Sequence, residues 1–554
     1  MQNVSRNKIL KLTVVVVAAV VCLGFTSVAV RDAVLGRNIE VLVGMFRNLS
    51  LLYVDEVDSD QLLKDAAKGM ASSLDPYTEL ITSDGMEEFE LMTTGKYGGI
   101  GSLIRADSDY VRIAEPYRDS PADRAGLEIG DKIVEIDGRS MRGATTQTVS
   151  SLLKGDPGTS FKLTVRKFRT GEIQKLTIRR ERIAIPAISY YGMLGDSLGY
   201  IHHVDFTDGC AKQMRSAVES LKKSGARGLV LDYRGNGGGI VQEAVAILSM
   251  FVPSGTEVLT MRGRGNGATK VFRTEGDPIA REMPIVVLVD GYTASSAEIL
   301  AGALQDLDRG VIVGQRTFGK GLVQSSFPLG YDAYLKLTTA KYYTPSGRCI
   351  QSFDYSEGGR AGGGHIADSL ISEFTTAAGR KVYDGGGITP DEELEPEWVS
   401  KFAMMLYAEG LVDDYADAYV LRYGTDHIDA ESFVLADKDY DNFVKMVAGR
   451  PLNYESHTRN IIKALRDMAV EEGYNEEIKA DIESMERKVA GYNADLLERH
   501  RAQIVTMIED ALVLRAAYDE GVTRHHLPTD KAVARAAQLL SDGEAYRSVL
   551  TPKN

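Results

Sequence analysis

Apolar and polar positions change their spacing several times along this chain, and each change predicts a different kind of structure. Leu12 to Val30 carries no charge over 19 residues and follows Arg6, Lys8 and Lys11. That run approaches the roughly 20 residues needed to span a bilayer and exceeds the usual core of a cleaved signal, about 7 to 15. Segment 1–30 therefore reads as an uncleaved signal anchor, with its positive flank cytoplasmic and the rest exported. Cleavage after Ala29, with Ser27 and Ala29 as the small residues, is the alternative. From Asn38 to about Leu52, Ile39, Leu42, Val43, Phe46 and Leu49 recur at helical spacing, and Gln61 to Leu74 repeats the pattern, so 37–96 is predicted as a helical region. Over 97–182, short β-type runs at Tyr110 to Ala114, Lys132 to Ile136, Phe161 to Phe168 and Ile173 to Ile178 are separated by glycine turns, which predicts a compact β-rich module. Over 183–395, strand-like runs (Leu229 to Tyr233, Ile285 to Asp290, Val311 to Val313) alternate with helical ones (Cys210 to Lys223, Val241 to Phe251, Ala297 to Leu307), which predicts an α/β layer. Residues 396–554 are long, charged, helix-favouring stretches and predict a mainly helical region with no chemistry visible in it.

Composition narrows the class. At roughly 100 to 200 residues per domain, 554 residues should hold three or four domains. Apolar residues at 44 % and charged ones at 26 % exclude a mostly disordered, collagen-like or multi-span membrane protein. Acidic residues outnumber basic ones 78 to 64, a net charge of -14, the wrong sign for a nucleic-acid binder. Cys22, Cys210 and Cys349 are odd in number and far apart, which gives neither zinc-ligand spacing nor a disulfide framework.

The most patterned stretch is SPADRAGLEIGDKIVEIDG, Ser120 to Gly138. Ser120 can cap a short helix with Pro121 at its first position and Gly126 as its stop; Gly130-Asp131 then turns into a strand closed by Asp137-Gly138. Upstream, YGGIG from Tyr97 to Gly101 lets successive backbone N–H groups converge on one point, a concavity suited to an anion or, beside a strand edge, to a peptide carboxyl terminus. Together the two motifs resemble a PDZ domain over about Gly98 to Arg182. The resemblance implies capture of a C-terminal tail by strand addition, with its carboxylate held by the amides of Gly99, Ile100 and Gly101.

In DGYTASSAEILAGALQD, Asp290 to Asp306, Ser295 precedes Glu298 by three positions in the form of a capping box. The same geometry also suits a nucleophile, because a serine at a strand-to-helix junction lies near free amides able to hold an oxyanion. A serine needs a base. His202 and His203 are adjacent on a predicted strand and point to opposite faces, and the other histidines lie from His365 onward, which argues against a Ser-His-Asp triad. A desolvated lysine is the other base open to serine, and TFGKGLVQ places Lys320 among small and apolar residues. Gln324, four positions on, could orient the amine. The glycines of LVLDYRGNGGG, Leu229 to Gly239, fit neither the dinucleotide fingerprint nor a P-loop, but they could present amides to an oxyanion.

DYRGNGGG, TASSAEILAGALQD, TFGKGLVQ and LTTAKYYTPSGRCI, with the PDZ-like module ahead of them, resemble the carboxyl-terminal processing proteases, the tail-specific Ser/Lys peptidases of family S41, over about residues 37 to 400. The resemblance implies a crotonase-like α/β protease core. The family's nucleophile stands 25 positions before its lysine, which selects Ser295 and Lys320. Gln324 matches the third catalytic position, and the oxyanion donors map to the backbone N–H of Gly238, with Gly239 as the alternative, and of Ser296. The family commonly has proline where Gly237 stands, which leaves open which glycine amide faces the substrate. Thr293-Ala294-Ser295-Ser296-Ala297 also departs from the commoner Ser-Ala-Ser-Ala-Ser without losing a catalytic side chain.

The reading that follows is an exported serine endopeptidase, in the bacterial periplasm and anchored to the inner membrane by its N-terminal segment. It would cut polypeptides near their carboxyl terminus, with no metal or organic cofactor and no nucleic-acid partner. The helical tail has no counterpart in the resemblance; it could form a homo-oligomer, dock an adaptor or cover the core. A catalytically silent PDZ-type adaptor is the rival reading, and an acyl-transfer enzyme of the crotonase type is a third.

Overall fold

The computed structural model describes residues 33–552, apart from residues 108, 266–267, 356–358, 360–362, 449, 451, 453, 455–456 and 494. The predicted signal anchor, 1–30, lies outside the described residues. Among the described residues no helix is long and apolar enough to cross a membrane.

The chain divides into two compact units. The first comprises the described residues up to 82 with 324–338 and 355–363. It holds helix 33–52 and helix Ser59–Ser72, the latter begun by Asp58, whose side chain accepts the N–H groups of Asp60 and Gln61. The strand Glu79–Ile81 runs antiparallel to the segment around Leu335. Helix 33–52 forms where the apolar spacing predicts it, yet Leu35, Leu51 and Leu52 remain exposed.

The second unit comprises 83–323, 339–354 and 364–554. Its β-rich module is an antiparallel sheet of Ser102–Asp107, Tyr110–Pro116, Lys132–Ile136, Ser160–Arg166 and Ile173–Arg179, in that order. Alternate residues such as Val111, Ile113, Ile133, Leu163 and Val165 enter one core with Val149 and Leu153 of helix Thr146–Leu153. Ser120 caps its short helix by accepting from Asp123 N, with Pro121 at the first position.

The α/β core is a six-stranded sheet in chain order: β1 (Ile188–Leu194), β2 (Leu198–His203), β3 (Gly228–Asp232), β4 (Ile285–Val289), β5 (Val311–Gly314) and β6 (Glu392–Glu393). β1 and β2 are antiparallel, and every later pair is parallel. β3 and β4 are buried at every residue, as strands covered on both faces must be. One face of the sheet carries helices α1 (Cys210–Lys223), α2 (Val241–Leu248) and α3 (Ser296–Asp306), packed on Leu229, Leu231 and Val287. The opposite face, through Val230, Val286 and Leu288, carries residues from the far end of the chain.

Those residues belong to the helical tail. Its apolar core gathers α4 (Leu411–Tyr423) and the helical run α5 (Arg501–His526), which is broken at Tyr518. Beyond it, α6 (Lys531–Ser541) lays Val533, Ala536 and Leu539 on the sheet, and Tyr546 of α7 (Gly543–Val549) brings its hydroxyl to the backbone N–H and C=O of Ile285 at 3.1 and 3.0 Å. The tail is therefore one outer layer of the α/β core.

Candidate active site

The site grows from two strand ends. β3 ends at Asp232 and leads into the loop Tyr233–Gly239, and β4 ends at Val289 and leads into Asp290–Ser295 and then α3. The two loops are stitched together. Gly235 N–H donates to both carboxylate oxygens of Asp290, at 3.0 and 3.1 Å. The Thr293 hydroxyl donates to Tyr233 O at 2.9 Å, and Ala294 N–H to Asn236 O at 2.9 Å.

Ser295 takes φ 55° and ψ -117°. An N-cap residue is ordinarily extended, and a non-glycine residue at positive φ is strained unless its surroundings impose that geometry. The expected capping box is present, and in its reciprocal arm Ser295 N–H donates to Glu298 Oε2 at 2.9 Å. The serine itself sits in the strained turn at the head of a helix, α3, whose eleven residues are all buried.

Glu298 does far more than cap. Its Oε2 also accepts Lys320 N–H at 2.8 Å, and its Oε1 accepts Gly319 N–H at 2.7 Å and the Thr317 hydroxyl at 2.5 Å. One oxygen thus holds the amides of both Ser295 and Lys320. Burial pushes the Glu298 carboxyl up to about 7, against the pull of the Thr317 hydroxyl and the Lys320, Gly319 and Ser295 amides. Tyr342 adds a second tie: its hydroxyl donates to Lys320 O and lies 3.1 Å from Ser295 O. Serine and lysine backbones are brought together from both sides.

The glycine loop meets them at close range. A Cβ at Gly238 would stand 2.7 Å from Ala294 O and Ser295 Cβ and 2.8 Å from Ser296 N, and its φ of +95° disfavours any other residue. The Gly238 N–H, expected to face an oxyanion, donates instead to Asn236 Oδ1 at 2.9 Å. Asn236 is wholly buried, and its Nδ2 donates to His203 O at 2.7 Å, so the side chain clasps the loop from inside. The Ser296 and Gly239 N–H groups donate to no partner among the described residues.

The histidines stand as the strand pattern predicts. His203 points inward against Phe206 and Tyr233 and is held neutral, its pKa pushed down to about 3 by burial. His202 meets the Ser189 hydroxyl through Nδ1 at 2.7 Å. Gln324 belongs to the first unit, where its amide donates to Thr338 Oγ1 at 3.1 Å. Among the described residues no group of three or more His, Cys, Asp or Glu is arranged to hold a metal ion.

In the β-rich module, Gly99 ends a short strand, Lys96–Gly99, paired with Glu181–Ala184. Ile100 points into the module's core, and its carbonyl accepts Ala122 N–H at 2.8 Å. Gly101, at φ +73°, lies so close to Ser120 that a Cβ would stand 2.5 Å from Ser120 Cβ. Burial pushes the Tyr97 phenol up, while the Ser102 and Gly101 amides turned towards it pull the other way.

Sequence reasoning missed Glu298 as a bridge, and Asn236, Asp290 and Tyr342 altogether. Glu298 was visible only as a capping residue, because its other donors come about twenty positions later.

The description "Peptidase family S41" matches residues 197–354, which contain Ser295 and Lys320. "PDZ domain" matches residues 112–167. "Probable PDZ-protease, C-terminal helical domain" matches residues 402–540, the tail that the sequence left without a counterpart. The chain is 34 % identical over 311 residues to a carboxy-terminal-processing protease of Bartonella bacilliformis, covering 55 % of this chain and 71 % of that protein. It is 33 % identical to the carboxy-terminal processing protease CtpA of Bacillus subtilis, over 54 % of this chain and 63 % of that one. Among solved structures it is similar to a photosystem II D1 C-terminal processing protease, at 26 % identity and a TM-score of 0.35, covering 64 % of this chain and 87 % of the other. It is also similar to the PDZ domain of a carboxy-terminal protease from Vibrio cholerae in complex with peptide, at 27 % identity and a TM-score of 0.16, covering 16 % of this chain and 99 % of that one. On the identity that runs through most of the Bartonella protein, this chain belongs to the carboxy-terminal-processing proteases of peptidase family S41.

Proposed function

We propose that this chain is an exported serine endopeptidase, tethered through residues 1–30 to the periplasmic face of a bacterial inner membrane, that cleaves polypeptides near their carboxyl terminus. The observation that carries the reading is the single Glu298 oxygen shared by the Ser295 and Lys320 amides. Ser295 Oγ attacks the scissile carbonyl as the neutral Lys320 amine takes its proton. Lys320 then protonates the leaving amine, and water hydrolyses the acyl-enzyme. Gln324 takes the third catalytic position that the family resemblance gives it. The developing oxyanion is met by Ser296 N–H and, once it leaves Asn236, by Gly238 N–H, both at the positive end of α3. Amides of Gly99, Ile100 and Gly101 take the carboxylate of the substrate's tail, which adds as a strand to the module.

The test is cleavage of an unfolded model protein by a chain starting near Val30, beside Ser295→Ala and Lys320→Ala, with the substrate's terminal carboxylate free or amidated. Activity lost in both variants and reduced by amidation is the expected result. Cleavage that survives Ser295→Ala would remove the nucleophile assignment. Tail binding with no cleavage in any form would favour a silent adaptor.

A further inference from the structure

The loop Tyr233–Gly239 is fastened mostly by the α/β core itself, through Thr293, Asp290, His203 and Ala294. Arg234 is fastened differently. Its Nε lies 2.9 and 3.1 Å from the two oxygens of Asp232, the buried last residue of β3, and its Nη2 reaches Asp530 Oδ2 at 2.8 Å. Asp530 stands in the helical tail, within the segment matched by the C-terminal helical domain description. Its other oxygen, Oδ1, accepts the N–H groups of Ala532 and Val533 at 2.8 and 2.9 Å and so begins α6. One carboxylate therefore joins the start of a tail helix to the second residue of the glycine loop. Asp232 alone would tie Arg234 only to its own strand, whereas Asp530 pins it to a separate element that is itself anchored on the sheet by Val533, Ala536 and Leu539. With Asp530 17 % exposed and Arg234 30 %, the pair is shielded enough to hold a geometry.

We infer that Asp530 is a positioning residue: through Arg234 it fixes the loop that carries Gly238 and Gly239, which makes the helical tail a working part of the active site. Asp530 touches neither substrate nor reacting atoms. The inference rests on the Ser295/Lys320 reading for its catalytic consequence, but its structural half can be read without turnover.

Asp530→Asn removes the charge while keeping a side chain that caps helices well. Arg535→Gln is the control, because Arg535 ties the same helix to Glu392 of β6 at 2.8 Å and does not reach the loop. In the Ser295→Ala chain, hydrogen exchange of the backbone 233–239 should quicken with Asp530→Asn and stay unchanged with Arg535→Gln. In the active chain, Asp530→Asn should lower kcat on a peptide substrate roughly tenfold or more, short of the 10²–10³ that follows loss of an oxyanion donor. KM should be unchanged, and Asp530→Glu should restore most of the rate. Unchanged loop exchange in Asp530→Asn overturns the inference, and so does an equal effect of Arg535→Gln, which would reduce Asp530 to general docking. Cleavage that survives Ser295→Ala overturns the nucleophile reading instead, and the exchange data still decide whether Asp530 orders the loop.

Discussion

Glu298 has no solvent contact and a carboxyl pushed by burial up to about 7 from an ordinary 4.5. The folded state therefore binds this proton more tightly than the unfolded chain does. The resulting stability is fully present below about pH 4.5 and is lost as pH rises through 7, a change of up to about 3 kcal/mol. Glu298→Gln should flatten this part of the stability profile, read as the urea midpoint at a series of pH values, and should lower peptidase activity because the neutral amide cannot accept all four donors. Gly238→Ala tests the glycine loop: the added carbon meets Ser295 and Ala294 at 2.7 Å, so the loop must move. Peptide turnover should fall at least a hundredfold while far-UV circular dichroism is unchanged. At this scale the sequence was legible where a residue's role is local, as with Ser120 capping its helix or the alternation that turns His203 inward. Glu298, Asn236 and Tyr342 were not legible, because their partners lie on other segments and nothing in the nearby pattern names them.

Elements were legible where burial leaves a period. The strands of the β-rich module alternate, and the α/β run switches between strand and helix lengths, so β5, α1 and the strand Lys132–Ile136 fall where the pattern predicts them. The tail shows the limit. Its helices were expected from their residue types, yet α6 gave no sign of its partner, since Val533, Ala536 and Leu539 need a sheet face built about 300 positions earlier. Leu539 is wholly buried there. Leu539→Ala should cost about 2–5 kcal/mol, lowering the denaturant midpoint of the α/β core with that of the tail rather than melting the tail alone.

Within the second unit as a whole, the β-rich module is locked to the tail by charge. Arg105 and Arg112 reach Asp413 and Asp417 of α4 at 2.5 and 2.7 Å, and Arg515 of α5 holds the same two carboxylates at 2.9 and 2.5 Å. Burial alone would raise Asp413, but Arg515 and Arg105 hold it below the usual carboxylate range. Removing one partner of such a buried set leaves an uncompensated charge and costs about 3–5 kcal/mol. Asp417→Ala should accordingly split calorimetric unfolding into two transitions, with the β-rich module melting first. A single unchanged transition would show that the network is not what joins them.

The sheet face under α6 and α7 also sets a timetable. During synthesis β1 to β5 and α3 emerge well before residues 530–550, on the order of ten seconds or more at 5–20 residues per second. Throughout that interval Arg234 lacks Asp530, and Val230, Val286 and Leu288 lack their cover. A nascent chain therefore holds the loop 233–239 by the α/β core's own hydrogen bonds alone, well before the tail adds its carboxylate. The fastening of this loop is thus completed only when the last stretch of the polypeptide, residues 530–550, reaches the sheet.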